Sequence, residues 1–319
     1  MSEPRASAVA IARAISNVAI RYENREYIAH QVAPVVQVDK EEGKYFTYDR
    51  GSMFRDDAID NRAPGSRAPR SGWAMSNDSY IVNERAHAVD IPRRVNDNAD
   101  EPLRPFETAA SVAMGRVLLR NERAAAAAFF TTSIWGADVT PSSLWDDYAA
   151  SDPAQDISDQ VEAIRQKIGL RPNRLIIGAE VMASLKLHPD GLDRFKHTRT
   201  GVMSNEMVAE WLGISDVIVG EAIYTSSAEG ATDTTADVWG KHGLLEYVPA
   251  TADINEPSAC YTFLKRINSR QSASLFGVGA QSRSWYEEAE DQDVVEASIL
   301  TDHKVTSAVS GIFFNGVIS

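Results

Sequence analysis

The chain has 319 residues, of which 44% are hydrophobic and 24% charged, with a formal net charge of −13. That is enough apolar material for a core in roughly one to three domains. The acidic balance excludes tight, sequence-independent wrapping of nucleic acid, which needs a basic surface; it permits a protein that lies near DNA without gripping it.

Cys260 is the single cysteine, so there is no intrachain disulfide and no cysteine cluster for a metal. A reducing, cytoplasmic site of synthesis fits this. The first twenty residues carry Glu3 and Arg13 and lack a continuous apolar stretch, which argues against a signal peptide. No run reaches the length of a membrane span, and no membrane partner is expected.

Residues 5–20 place Val9, Ile11, Ile15 and Val18 at near-helical spacing, as a short amphipathic helix or a mobile arm. Tyr27 to Val38 reads as extended, because Pro34 excludes a helix there. It is apolar with no sequence neighbour to pack on, so it either pairs with this chain's own sheet or is completed by another chain. Lys44 to Asp49, rich in aromatics, and Ser79 to Ile91, alternating, read as strands. Between them lies a stretch with almost no apolar pattern. It sets Arg50, Arg55, Arg62, Arg67 and Arg70 against Asp56, Asp57 and Asp60, and it is broken by Pro64, Gly65, Pro69 and Gly72. Such a loop is uncommon in a compact domain and is usually functional or disordered. With its flanking strands it makes a long hairpin reaching away from its own core, its charges suited to salt bridges with neighbours. The plainer reading is a solvated loop.

Pro102 to Phe130 is the longest helix-compatible run. Phe106, Ala110, Ala113, Val117, Asn121, Ala124 and Ala128 share one face, and Arg116, Arg120 and Arg123 line another. Such a helix spans roughly 35–40 Å. It is either an ordinary core helix or a strut along a flat subunit. Trp135 to Tyr148 is a connector. Asp156 to Ile168 is an amphipathic helix closed by Gly169. Then come a strand at Arg174 to Gly178, a helix at Ala179 to Leu187 stopped by Pro189, a turn or two at Asp190 to His197, a helix at Asn205 to Leu212 and a strand at Asp216 to Val219, together a compact α/β module. Thr225 to Asp237 reads as a polar loop. Strands are expected at Val238–Trp239, Leu244–Val248, Tyr261–Lys265, Ser284–Glu288 and Asp293–Thr301, with β-type residues at Val305–Val309 and Ile312–Ile318. There is no internal repeat at a fixed period.

Signatures of catalysis are missing: no phosphate-binding loop, zincin motif or nucleophile elbow occurs. Gly277 and Gly279 form a lone G-x-G that opens no helix. His188 and His197, around Asp190 and Asp193, match no metal spacing and read as surface residues at helix ends. Cys260 reads as a buried structural thiol. The acidic run at Glu287, Glu288, Glu290, Asp291 and Asp293 reads as a solvated turn. No cofactor, metal or catalytic residue is expected, and the chain reads as a non-enzyme.

The wording of several stretches resembles a known family. These are GKYFTYDRGSMFRDDA (Gly43 to Ala58), RAPG (Arg62 to Gly65), AAAAAFFTTSIWGADVT (Ala124 to Thr140), PNRLIIGAEVMASLKLHPD (Pro172 to Asp190) and AEWLGISDVIVGEAIY (Ala209 to Tyr224). With the order of elements, they resemble the major capsid proteins of tailed bacteriophages, siphophage-type subunits of the HK97-type capsid fold. The resemblance runs from about residue 20 to the C-terminus. It implies an α+β fold with an N-arm at 1–44, an E-loop at 45–90, a P-domain at 91–151 with a spine helix at 102–130, an A-domain at 152–275 and C-terminal strands at 276–319 returning to the P-domain. It implies that the hairpin lies across a neighbouring subunit and that another chain completes the arm. The function implied is self-assembly through pentamers and hexamers into an icosahedral shell around packaged double-stranded DNA. Expected intersubunit contacts are Arg50, Arg55, Asp56, Asp57, Arg62, Arg67 and Arg70. A portal and a separate scaffolding protein, or none, are the expected partners, since the chain begins close to its arm. The location implied is the virion capsid, after synthesis in the host bacterial cytoplasm. No Lys lies between Lys44 and Lys167, so no Lys–Asn crosslink is expected from the hairpin. Two alternatives stand beside this: an encapsulin-type compartment, and an α+β enzyme or ligand-binding protein with a lid loop at 50–78.

Overall fold

The structure, a computed structural model, describes residue 24 and residues 26–319 apart from 57–61, 63, 69, 100–103, 196–202, 229, 250, 252–257, 268–270 and 273–278. The expected helix at 5–20 lies outside the described residues, as do Asp57, Asp60, Pro69, Pro102, His197 and Gly277.

Among the described residues the chain starts with one helical turn, α1 (Ala29–Val32), followed by strand β1 (Val35–Val38). The extended reading of 27–38 is therefore corrected for its first half, since Pro34 forbids a helix only at and just before itself. Strand β2 (Glu42–Tyr48) and β3 (Met75–Ile81) pair antiparallel, joined through the short helix α2 (Arg50–Met53). The second expected strand divides at Val82, after which β4 (Asn83–Pro92) enters a different sheet. The short α3 (Arg93–Asp97) leads to the long helix α4 (Pro105–Phe129), with Pro105 in the first turn where its missing N–H costs nothing.

Strand β5 (Asp138–Val139) precedes α5 (Pro153–Ile168). Asp152 caps α5 by accepting from the Gln155 amide, and Gly169 ends it at φ 75°. The α/β module follows as β6 (Arg174–Gly178), α6 (Ala179–Lys186), α7 (Pro189–Phe195), α8 (Asn205–Leu212) and β7 (Asp216–Gly220). Ser204 caps α8 and Gly213 closes it at φ 69°. The polar loop is a small hairpin of β8 (Ile223–Thr225) and β9 (Thr235–Asp237). Val238 and Trp239 form no strand; Trp239 instead turns inward and is buried. The rest comprises β10 (Gly243–Glu246), β11 (Cys260–Lys265), β12 (Gln271–Ser272), β13 (Gln281–Glu287), β14 (Gln292–Val305), a 3-10 turn at Ala308–Ser310 and β15 (Gly311–Phe314).

Two sheets carry the body. The first runs β1-β11-β14-β13-β12, with β4 also on β14; the second runs β5-β15-β10-β6-β7. Neither is a continuous stretch of chain. β11 pairs with β14 of the first sheet although it follows the module, while β15, at the C-terminus, pairs with β10 of the second. β1 pairs parallel with β11, so Val35–Val38 of the arm are completed by their own chain; the expected supply from another subunit is corrected for these residues.

Helix α4 joins the sheets. Ala113, Val117 and Leu118 pack on Leu264, Ala297 and Ile299 of the first. Ala125, Ala126 and Phe129 pack on Ile176, Leu244 and Phe313 of the second. Each large side chain buried this way contributes roughly 1.5–3 kcal/mol. The buried face follows Ala109, Ala113, Val117, Asn121, Ala125 and Phe129, whereas Phe106 is exposed and Ala124 and Ala128 are half-buried. The expected face is right at its centre and rotated at its ends, because an alanine run offers no hydropathy contrast to fix the rotation.

Candidate assembly surface

The β2–β3 hairpin is rooted in the body by aromatic rings. Tyr80 stacks on Phe263 with centroids 4.5 Å apart, and Tyr45 lies 5.6 Å from the same ring. Gly43 is opposite Tyr80, and a Cβ there would stand 2.5 Å from the Tyr80 hydroxyl, so the ring can close over the strand only at a glycine. The Tyr45 hydroxyl donates to Asp78 Oδ2 (3.0 Å), and the Ile81 amide donates to Asp302 Oδ2 (2.9 Å).

Beyond this root the hairpin is exposed. Arg50, Arg55, Asp56, Arg62, Arg67 and Arg70 are all on the surface; Asp57 is outside the described residues. Asp49 caps α2, and hydrogen bonds from the Ser52 hydroxyl and amide hold its carboxyl below the usual range. The hairpin does not stand wholly clear of its subunit: the Phe54 ring lies 3.4 Å from where a Cβ on Gly169 would sit. Sequence reasoning fixed on the charges and missed the apolar side chains among them. Phe46, Met53, Phe54, Trp73 and Met75 are exposed, Phe54 by 64% and Trp73 by 69%. Their signal was four large apolar residues, Met53, Phe54, Trp73 and Met75, in a stretch with no periodicity, and Phe46 in the strand leading to it. Side chains of that size gathered on one protruding element mark an interaction surface.

The root of the arm is fixed by a buried carboxylate that sequence reasoning also missed. Glu122, on α4, accepts from the Ile28 amide (2.9 Å), the Ala29 amide (2.8 Å) and the Trp239 indole (2.8 Å). Burial pushes its pKa up, and the three hydrogen bonds oppose that shift. Asn121 beside it accepts from Thr301 (2.7 Å) and from His303 Nε2 (3.1 Å), while His303 Nδ1 meets the Thr262 hydroxyl at 2.9 Å. Burial, with Arg85 nearby, holds His303 down to about 3, so the ring is neutral.

Where the sheets meet, Cys260 Sγ donates to Glu246 Oε2 at 3.2 Å, both residues being fully buried. Cys260 is thus the buried thiol expected, and burial raises its pKa well above the ordinary range. His188 is a correction. It is a buried residue rather than a surface one, its ring 5.3 Å from Trp211 and 5.5 Å from Tyr148, with Ser151 Oγ 3.2 Å from Nε2. Among the described residues no helix is long and apolar enough to cross a membrane.

No family model matches the chain. The major capsid protein of Burkholderia phage BcepMu is 32% identical over 264 residues, covering 80% of this chain and 83% of that protein. The chain belongs to the phage major capsid proteins. It is a structural subunit that self-assembles into an icosahedral capsid shell, not an enzyme, and its place is the virion capsid. The lid-loop enzyme alternative is therefore set aside. The fold agrees. A phage-related protein from Bordetella bronchiseptica RB50 superposes with a TM-score of 0.67 at 22% identity, covering 93% of each chain. The capsid of Cyanophage P-SCSP1u matches at a TM-score of 0.60 and 10% identity, over 94% of this chain and 90% of that one. The expected α+β, HK97-like capsid fold is what this capsid protein has.

Proposed function

We propose that the β2–β3 hairpin is the E-loop through which one subunit grips the next. Arg50, Arg55, Asp56, Asp57, Arg62, Arg67 and Arg70 supply the ion pairs, and Phe54, Trp73 and Met75 supply the apolar contact. The observation that carries this is a hairpin rooted on the Phe263 cluster whose remaining large side chains stay in solvent. Exposed ion pairs are worth only about 0–1 kcal/mol each. The apolar area therefore provides most of the affinity, and the charges set register and partner choice.

In the same reading, residues 1–44 are the N-arm. Residues 91–151 with α4 form the P-domain and 152–275 the A-domain around five- and sixfold axes, with the expected boundary redrawn at two strands: β11, inside 152–275, joins the first sheet, and β15, inside the returning 276–319, joins the second. Heterologous contacts repeated about those axes close the shell. The shell encloses double-stranded DNA held without sequence-specific contacts, in keeping with an acidic subunit. A portal occupies one vertex, assembly uses a separate scaffolding protein or none, and it takes place in the host cytoplasm.

The test is to replace Arg62, Arg67 and Arg70 by Ala, and separately Phe54 and Trp73 by Ser. Assembly is followed by light scattering after size exclusion, and folding by circular dichroism. Both variants are expected to fold and to fail to form shells. Normal particles from both would refute the hairpin's role.

A further inference from the structure

The hairpin reading leaves open where on the neighbour its arginines go. β7 ends the second sheet and, among the described residues, pairs only with β6. Beside that free edge runs a groove of about 430 Å³, with Glu26 and His30 on the wall formed by the arm and Asp216, Val217, Val219 and Glu221 on the wall formed by β7. A free strand edge is a template for an extended segment, whose backbone supplies affinity while side-chain pockets supply selectivity.

The chemistry of the groove selects the segment. Three carboxylates, Glu26, Asp216 and Glu221, line it, and Asp216 is paired with Arg174. That guanidinium is already engaged, by Asp216 at 3.2 Å and by the Gln31 carbonyl. His30 Nδ1 is enclosed and, among the described residues, has no hydrogen-bond partner. The groove thus offers negative charge and an unused ring nitrogen beside an open edge. A second groove, of about 420 Å³ between α5 and α8, is also acidic, with Asp152, Asp190 and Glu210, but no strand edge borders it. The hairpin presents the complementary pattern. Arg62, Arg67 and Arg70 are exposed, and among the described residues from 62 to 70 none is in a helix or strand.

We propose that the β7-edge groove receives the Arg62–Arg70 part of the hairpin from a second copy of this chain. Its guanidinium groups lie against Glu26 and Glu221, and its backbone runs along β7. This rests on the reading of the hairpin as the intersubunit grip, and charge reversal in the full-length chain separates the two. One variant carries Arg62→Glu, Arg67→Glu and Arg70→Glu; a second carries Glu26→Arg and Glu221→Arg; a third carries all five. Glu210→Arg, in the other acidic groove, is the control for net charge. All are checked for folding by circular dichroism.

Each reversal alone is expected to lower the yield of capsomers and shells by about tenfold or more, and the combination to restore most of it, as complementary charges do at interfaces. The control should assemble as the unaltered chain. If the hairpin reversal assembles normally, the grip and the groove fall together. If it fails while the groove reversal assembles normally, the grip stands and the groove is wrong. A combined variant no better than either parent, or loss of assembly in the control, also overturns the groove. As a second readout, Arg67→Cys with Glu221→Cys should give disulfide-linked subunits on oxidation of assembled material. A gel showing monomer alone would count against the proposal.

Discussion

Glu246 ends β10 at the junction of the two sheets, fully buried, and its burial makes the subunit's stability depend on pH. Its Oε2 accepts from Cys260, while its Oε1 has no hydrogen-bond partner among the described residues. Burial raises its pKa from 4.5 to about 8, with the Cys260 hydrogen bond and the Arg174 charge pulling the other way. A carboxyl raised in the folded state contributes stability that is fully present below the unfolded value. That stability is lost as pH rises through the folded value. The interval from 4.5 to about 8, at about 1.4 kcal/mol per pH unit, amounts to about 5 kcal/mol. Glu246→Gln removes this dependence. It also places an amide NH₂ where Oε1 now lies unpaired, at a cost of about 1–3 kcal/mol that does not vary with pH. The variant should therefore be less stable than the unaltered subunit at pH 5 and more stable at pH 9. Urea unfolding of both proteins from pH 5 to 9 measures the difference, in which the titrating groups away from Glu246 cancel, while the Cys260 thiol, raised by burial and also by Glu246, does not. Parallel stability curves across that range would refute the assignment.

His303 gives the opposite limb. Its folded pKa of about 3 lies below the usual 6.5, so stability present above pH 6.5 is lost as pH falls toward 3. The loss is on the order of 3–5 kcal/mol, and His303→Gln should flatten the acid limb of a melting-temperature profile. Glu122→Gln leaves one oxygen for three donors and should destabilise the subunit by about 2–4 kcal/mol. Amide exchange at Ile28 and Ala29 should accelerate more than in β14, and uniform acceleration would contradict the local role. Gly178→Ala would place a Cβ 1.8 Å from the Gly240 carbonyl oxygen. Soluble, cooperatively folding material with unchanged stability would show that this close approach is not needed.

Local pattern determined much of this protein. The period of α4, the caps Asp152 and Ser204, the closing glycines at 169 and 213, the aromatic run of β2 and the alternation of β4 report backbone preference and one-sided burial, which neighbours in sequence encode. The wording of a few stretches sufficed for the family. What sequence alone left undecided concerns partners far apart in the chain. Whether the arm closes on its own sheet depended on β11, more than two hundred residues away. The same holds for β15 joining the second sheet, since strand pairing is set by register and topology rather than composition. The charges of Glu122 and Glu246 are plain in the sequence, yet their burial is not, because only the packed sheets supply the donors and the low dielectric that give those carboxylates their roles.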